Sequence, residues 1–161
     1  MARPLLFLDV DGPLIPFGAS DYPLFPPPPG PADHPLLARL DPTHGTRLAA
    51  LPCDLVWATT WLTDANDVIA PRLGLPPLPL VDDPTDSEAD GLHWKTRPLL
   101  TFAAGRPFAW ADDEISPADR AWVSAHHPTA APLHRVDPHT GLTDADFTTL
   151  ANWLETLAPT P

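Results

Sequence analysis

Leu5-Leu6-Phe7-Leu8-Asp9-Val10-Asp11-Gly12 decides how this chain is read. Four apolar residues in a row, with no polar face, predict a strand buried on both sides, as parallel sheets require. The carboxyl end of such a strand is where a ligand sits in an open α/β sheet. Side chains alternate along a strand, so Asp9 and Asp11 point the same way, and like charges so placed are costly unless a cation or a shared proton relieves them. Gly12 lets the chain turn sharply as it leaves the sheet. An Asp-Gly pair can also close a hairpin, which is the alternative for this segment taken alone.

The rest of the chain favours the buried strand. Leu55-Val56-Trp57-Ala58 is a second apolar run, ending in Thr59-Thr60. Lys95 opens a helical stretch, and a further strand, Pro107-Phe108-Ala109-Trp110-Ala111, ends in Asp112-Asp113. Lys95 is the lone lysine among 9 Lys plus Arg. Three carboxylates at strand ends, Asp9, Asp11 and Asp112, suit a hard, oxygen-seeking cation such as Mg²⁺.

In order and spacing these pieces resemble the four motifs of the haloacid dehalogenase-like (HAD) superfamily of phosphohydrolases, over the stretch from residue 9 to residue 113. The resemblance implies a Mg²⁺-dependent phosphatase working through an aspartyl-phosphate. Asp9 would be the nucleophile and Asp11 the acid that protonates the leaving oxygen and then the base that activates water. The metal set it implies is Asp9, Asp11, the backbone carbonyl of Val10, Asp112 and Asp113. Thr59, or Thr60 if the register slips by one, would bind phosphoryl oxygens, and Lys95 would offset their charge. The stretch from 13 to 35, with Pro26-Pro27-Pro28-Pro29-Gly30-Pro31, resembles the flap that some members carry in place of a cap domain. A proline tract that docks a partner is the other reading of it.

The implied fold is α/β: a Rossmann-like three-layer sandwich around a mostly parallel five-stranded sheet, in a single domain over 1–161. Leu78-Pro79-Leu80-Val81 and Leu133-His134-Arg135-Val136 supply the remaining strands. Helices are expected over about 42–51 with Asp41 as cap, 63–73 with Gly74 past its end, 94–104, 117–126 capped by Ser116, and 143–157 capped by Thr143. The acidic run 82–91 reads as a solvated surface, and Glu114 and Asp119 as surface or helix-end charges.

Composition narrows the function. The formal net charge of -12 counts against a long polyanion as partner, because nucleic-acid binding rests on phosphate neutralisation by Lys and Arg. The lone Cys53 cannot form an internal disulfide, and no stretch reaches the roughly 20 apolar residues of a membrane span; a cytoplasmic protein is expected. His126, His127, His134 and His139 do not form a zinc pattern. Trp61 reads equally as pocket lining or as core, and His93 is the histidine nearest to Lys95. The expected substrate is a small phosphorylated metabolite, with a nucleic-acid end, phosphotransfer, or a non-catalytic docking role as alternatives. A homo-oligomer whose neighbour serves as the lid is compatible with a short flap. Arg3, Arg39, Arg47, Arg72 and Arg97 are candidate substrate contacts that sequence cannot bring to the pocket.

Overall fold

The computed structural model describes residues 3–25, 35–82 and 91–157. Its centre is a parallel sheet of four strands, β1 (Leu5–Leu8), β2 (Asp54–Trp57), β3 (Phe108–Asp112) and β4 (Leu133–Arg135), in the order β2-β1-β3-β4. The connecting helices are α1 (Pro42–Ala49), α2 (Ala70–Leu73), α3 (Thr96–Ala103), α4 (Pro117–His126) and α5 (Asp144–Leu157). None of the described helices is long and apolar enough to cross a membrane.

The strands read as uninterrupted apolar runs because both faces of the sheet are covered. On one face Leu6, Leu8, Trp57, Ala109 and Ala111 pack with Leu48 of α1, Leu73 of α2 and Phe147, Leu150 and Leu154 of α5. On the other, Leu5, Phe7, Val56, Phe108 and Trp110 pack with Leu99 and Ala103 of α3 and Val123 of α4. The period-2 alternation of β1 thus feeds two cores, not one core and a wet face. Gly45 lets α1 approach α2 closely: a Cβ there would fall 1.8 Å from the Leu73 carbonyl oxygen.

Local signals explain the helix ends. Asp41 accepts from the Thr43 N–H at 2.9 Å, with Pro42 in the first turn of α1. Ser116 and Asp119 form a capping box on α4. Thr143 caps α5, with its Oγ1 accepting from the Asp146 N–H and its own N–H donating to Asp146 Oδ2. The helix expected over 63–73 is instead a π-helical turn, Ala65–Ile69, running into the short α2. Pro71 has no N–H with which to continue an α ladder, and the Ala70 N–H reaches back to the Ala65 carbonyl.

The sheet has four strands among the described residues, a correction to the five expected. Leu78–Val81 runs beside β2 but makes only a single bridge, Trp57 to Leu80. Pro79 has no donor for a ladder, and both backbone groups of Leu78 are taken by the Asn66 side chain at 2.8 Å each. The proline tract 26–34 and most of the acidic run, 83–90, lie outside the described residues.

β1 is central, with β2 on one side and β3 on the other, so the chain switches direction across the sheet at β1. That makes the carboxyl ends of β1 and β3 a topological switch point, the usual place for a ligand in such sheets.

Candidate active site

Register places the acidic residues. Leu8 pairs with Ala111 as the last residues of the β1–β3 ladder, and the Asp9 N–H continues it by donating to the Ala111 carbonyl at 3.1 Å. The next positions, Asp9 and Asp112, therefore leave the sheet side by side. Both are buried, as is Asp113. Carboxylate oxygens of Asp9, Asp112 and Asp113 all lie within 4.8 Å of one another. Lys95, 2 % exposed, reaches this group from the start of α3, with its Nζ 3.1 Å from Asp9 Oδ1 and 2.7 Å from Asp112 Oδ2.

The electrostatics follow from that arrangement. Burial pushes the Asp9 carboxyl well above the ordinary carboxylate range, against the pull of the Lys95 charge and with the charge of Asp112 adding to the push. Burial acts on Asp112 in the same direction, but the Lys95 charge and hydrogen bond, with the Glu114 N–H, outweigh it and hold Asp112 below that range. Asp113 is raised to about 6, first by burial and then by its contact with Asp112. The Lys95 ammonium is disfavoured by burial, yet Asp9 and Asp112 overcome this and raise its pKa. One ammonium thus faces three carboxyl groups. The donor set is all oxygen, buried and short of positive charge, which fits a hard divalent cation.

Gly12 is part of the construction. Its φ of +100° is a left-handed conformation, and a Cβ there would come within 2.8 Å of Asp113 Cγ. The glycine turns the chain and gives Asp113 its place.

Asp11 lies outside the group of carboxylates that approach one another, Asp9, Asp112 and Asp113. It is half-buried, and the Trp61 indole N–H donates to both of its oxygens at 3.2 Å. It still lines the same cleft as Asp9 and Lys95. The Val10 carbonyl, the backbone group expected in the metal set, accepts from the Leu14 and Ile15 N–H groups at 3.0 and 2.9 Å in the turn after β1.

The two threonines after β2 differ in setting. Thr59 is buried, and its Oγ1 accepts from the Trp61 N–H at 3.1 Å. Thr60 is exposed and lines the cleft. Asp9 Oδ1 accepts from the Val10 N–H at 2.8 Å and faces Lys95, which leaves Oδ2 as the oxygen open to the cleft among the described residues. The cleft has a volume of about 120 Å³, and Phe17, His93, Trp94 and Glu114 complete its lining.

Two residues read as peripheral have specific roles here. Asp119 is 1 % exposed; its Oδ1 accepts from Thr96 Oγ1 at 2.7 Å and from the His93 N–H at 2.9 Å, while Oδ2 accepts from Ser116. It ties the start of α4 to the segment that carries Lys95. Glu114 is exposed but contacts His93 Nε2 at 3.0 Å. The Ser-x-x-Asp spacing announced the cap on α4; nothing local announced its second partner 23 residues away. Four further histidines serve separate partners: His126 the Trp122 carbonyl, His127 the Arg106 carbonyl, His134 Asp146 and His139 Asp137. No arginine lines the cleft among the described residues.

Comparison with protein-family models, with curated proteins and with solved structures finds no match to this chain.

Proposed function

We propose that the chain is a HAD-like phosphohydrolase that cleaves a phosphoric monoester through an aspartyl-phosphate at Asp9, on a Rossmann-like three-layer α/β/α fold. The observation that carries this reading is the Lys95 ammonium, buried between Asp9 and Asp112 at the carboxyl end of the sheet. A buried ion cluster is expensive to keep for stability alone, and hydrolysis of a phosphate ester needs what this one offers: a carboxylate aimed at phosphorus, and positive charge beside it.

Asp9, Asp112 and Asp113 would hold the cation, Mg²⁺ in this reading. When bound, it would offset the charge of the phosphoryl oxygens and favour the ionised form of its carboxylate ligands. Asp9 Oδ2 attacks phosphorus while Oδ1 stays fixed by Val10 and Lys95. The bond from phosphorus to the ester oxygen breaks, and Asp11 delivers a proton to that oxygen as the alcohol leaves. Asp11, now a carboxylate, takes a proton from water, which attacks phosphorus and releases inorganic phosphate with Asp9 restored. The Trp61 N–H holds Asp11 in position for both transfers. Thr60 faces the phosphoryl group from the tip of β2, and Thr59 braces the loop behind it.

The test is phosphate release from a panel of phosphorylated metabolites and nucleic-acid ends, with and without Mg²⁺, using Asp9→Asn as control. Mg²⁺-dependent release that disappears in the variant is the expected result; release that persists in Asp9→Asn contradicts the assignment.

A further inference from the structure

The cleft has two zones of different chemistry. Its floor holds Asp9, Lys95 and Asp113, and its volume of about 120 Å³ takes a phosphoryl group but not a whole metabolite, since complete small-molecule sites run from roughly 300 to 1,000 Å³. The leaving group must therefore lie across the mouth.

The mouth is aromatic. Phe17 is 42 % exposed despite its size, and its backbone is anchored by a 2.8 Å bond from its N–H to the Pro138 carbonyl. Trp94 is half-buried, with Lys95 Nζ 5.7 Å from its ring centroid and the His93 ring stacked on it at 6.0 Å. The two side chains present aromatic surface to whatever enters.

The mouth is also short of positive charge. Among the described residues that line the cleft, Lys95 is the sole Lys or Arg, and it is already engaged by Asp9 and Asp112. His93 Nδ1 accepts from the Lys95 N–H at 3.2 Å, which places the ring proton on Nε2, where it donates to Glu114. The Glu114 side chain, 66 % exposed, carries a negative charge to the rim. A second phosphate or a carboxylate on the substrate would meet that charge with no further Lys or Arg to pair with among the described residues that line the cleft.

We propose that the substrate is a phosphomonoester whose leaving group is a flat ring system without a second anionic group, such as a nucleoside, lying on Phe17 and Trp94, and that Glu114 excludes bisphosphates. This substrate class rests on the phosphohydrolase reading of the floor.

The test is calorimetric binding to Asp9→Asn protein in Mg²⁺, which separates recognition from turnover. Three ligands isolate the features: adenosine 5′-monophosphate, ribose 5-phosphate, which lacks the base, and adenosine 3′,5′-bisphosphate, which adds an anion. The monophosphate is expected to bind about tenfold more tightly than ribose 5-phosphate, the scale of one base stacked on an aromatic ring. Adding Phe17→Ala should erase that advantage and leave ribose 5-phosphate unchanged. The bisphosphate should bind more weakly than the monophosphate, and Glu114→Gln should close the gap. Equal affinity with and without the base, an equal loss for both ligands in Phe17→Ala, a bisphosphate bound as well as the monophosphate, or no binding of any of the three overturns the proposal. Wild-type phosphate release is scored separately. Mg²⁺-dependent release together with equal affinities sinks the ring proposal alone, whereas a base preference without release from any ester sinks the phosphohydrolase reading alone.

Discussion

Replacing Lys95 by Met removes one buried charge and leaves its partners in place. In the folded chain its ammonium sits 3.1 Å from Asp9 and 2.7 Å from Asp112, with all three groups buried. Breaking a buried pair from one side costs about 3–5 kcal/mol, because the abandoned charge has no water to solvate it. The lower end applies here, since protonation of a carboxyl can relieve part of the cost. A loss of about 3 kcal/mol corresponds to about 6–12 °C in melting temperature for a chain of this length.

The pH dependence has a definite sign. The stabilising effect of Lys95, whose pKa is raised in the fold, is fully present below the ordinary lysine pKa and is lost only as pH climbs through the raised value, so wild type keeps it from pH 5 to 8. In Lys95→Met, Asp9 and Asp112 lose their counter-charge and the pKa values of both rise, Asp9 from an already raised position and Asp112 from a lowered one. The native state then binds protons more tightly than the unfolded chain, and the variant gains stability as pH falls. Thermal melts in a chelator at pH 7 and pH 5 are the assay. The deficit should be large at pH 7 and smaller at pH 5, and Lys95→Met/Asp112→Asn should melt above Lys95→Met. A loss under about 1 kcal/mol at pH 7, or the same loss at both pH values, refutes the reasoning.

Asp113, raised to about 6, must give up a proton to bind a cation, so Mg²⁺ affinity by calorimetry should climb as pH rises through about 6, with the raised Asp9 carboxyl adding to the climb. A flat profile from pH 5 to 8 contradicts its role as a ligand. Gly12→Ala should cost about 1–3 kcal/mol by denaturant melt, from the left-handed backbone and the collision with Asp113, and should weaken Mg²⁺ binding as well. Trp61→Phe keeps the ring and removes the N–H that holds Asp11; turnover should fall several-fold with little change in melting temperature, whereas unchanged turnover removes Trp61 from the site.

All four strands of the sheet were legible in the sequence, most plainly the two central ones, whose side chains are buried on both faces, while β2 and β4 at the edges are partly exposed. Leu5–Leu8 and Phe108–Asp112 announce themselves because two cores claim alternate residues of each. Leu78–Val81 has the same apolar look, but its pairing is decided by Pro79 and by the Asn66 side chain, a tertiary partner that no local pattern reveals. The helix over 63–73 carried the right periodicity and stop signal, and Pro71 changed its internal geometry. At the site, Asp9, Asp112 and Asp113 were legible because strand ends fix where they emerge, and Lys95 because it is the lone lysine and stands at the start of the helix that leads into β3. The partners of Asp11 and of the Val10 carbonyl were not legible, because the turn after β1 is built by long-range and turn hydrogen bonds, from Trp61 to one and from Leu14 and Ile15 to the other. Asp119 was read as peripheral because its helix-cap position is local, while its hold on Thr96 and His93 comes from the packing of α4 against α3.

The most direct test of the central claim is chemical capture of the phosphorylated aspartate. Protein mixed with a turned-over ester and Mg²⁺, quenched in acid and reduced with borohydride, converts an aspartyl-phosphate to homoserine, which mass spectrometry locates on its peptide. Homoserine at position 9 in wild type, absent without the ester, is the predicted result. Substrate turnover with no modification at Asp9, or with the modification at Asp11 or Asp112, contradicts the account.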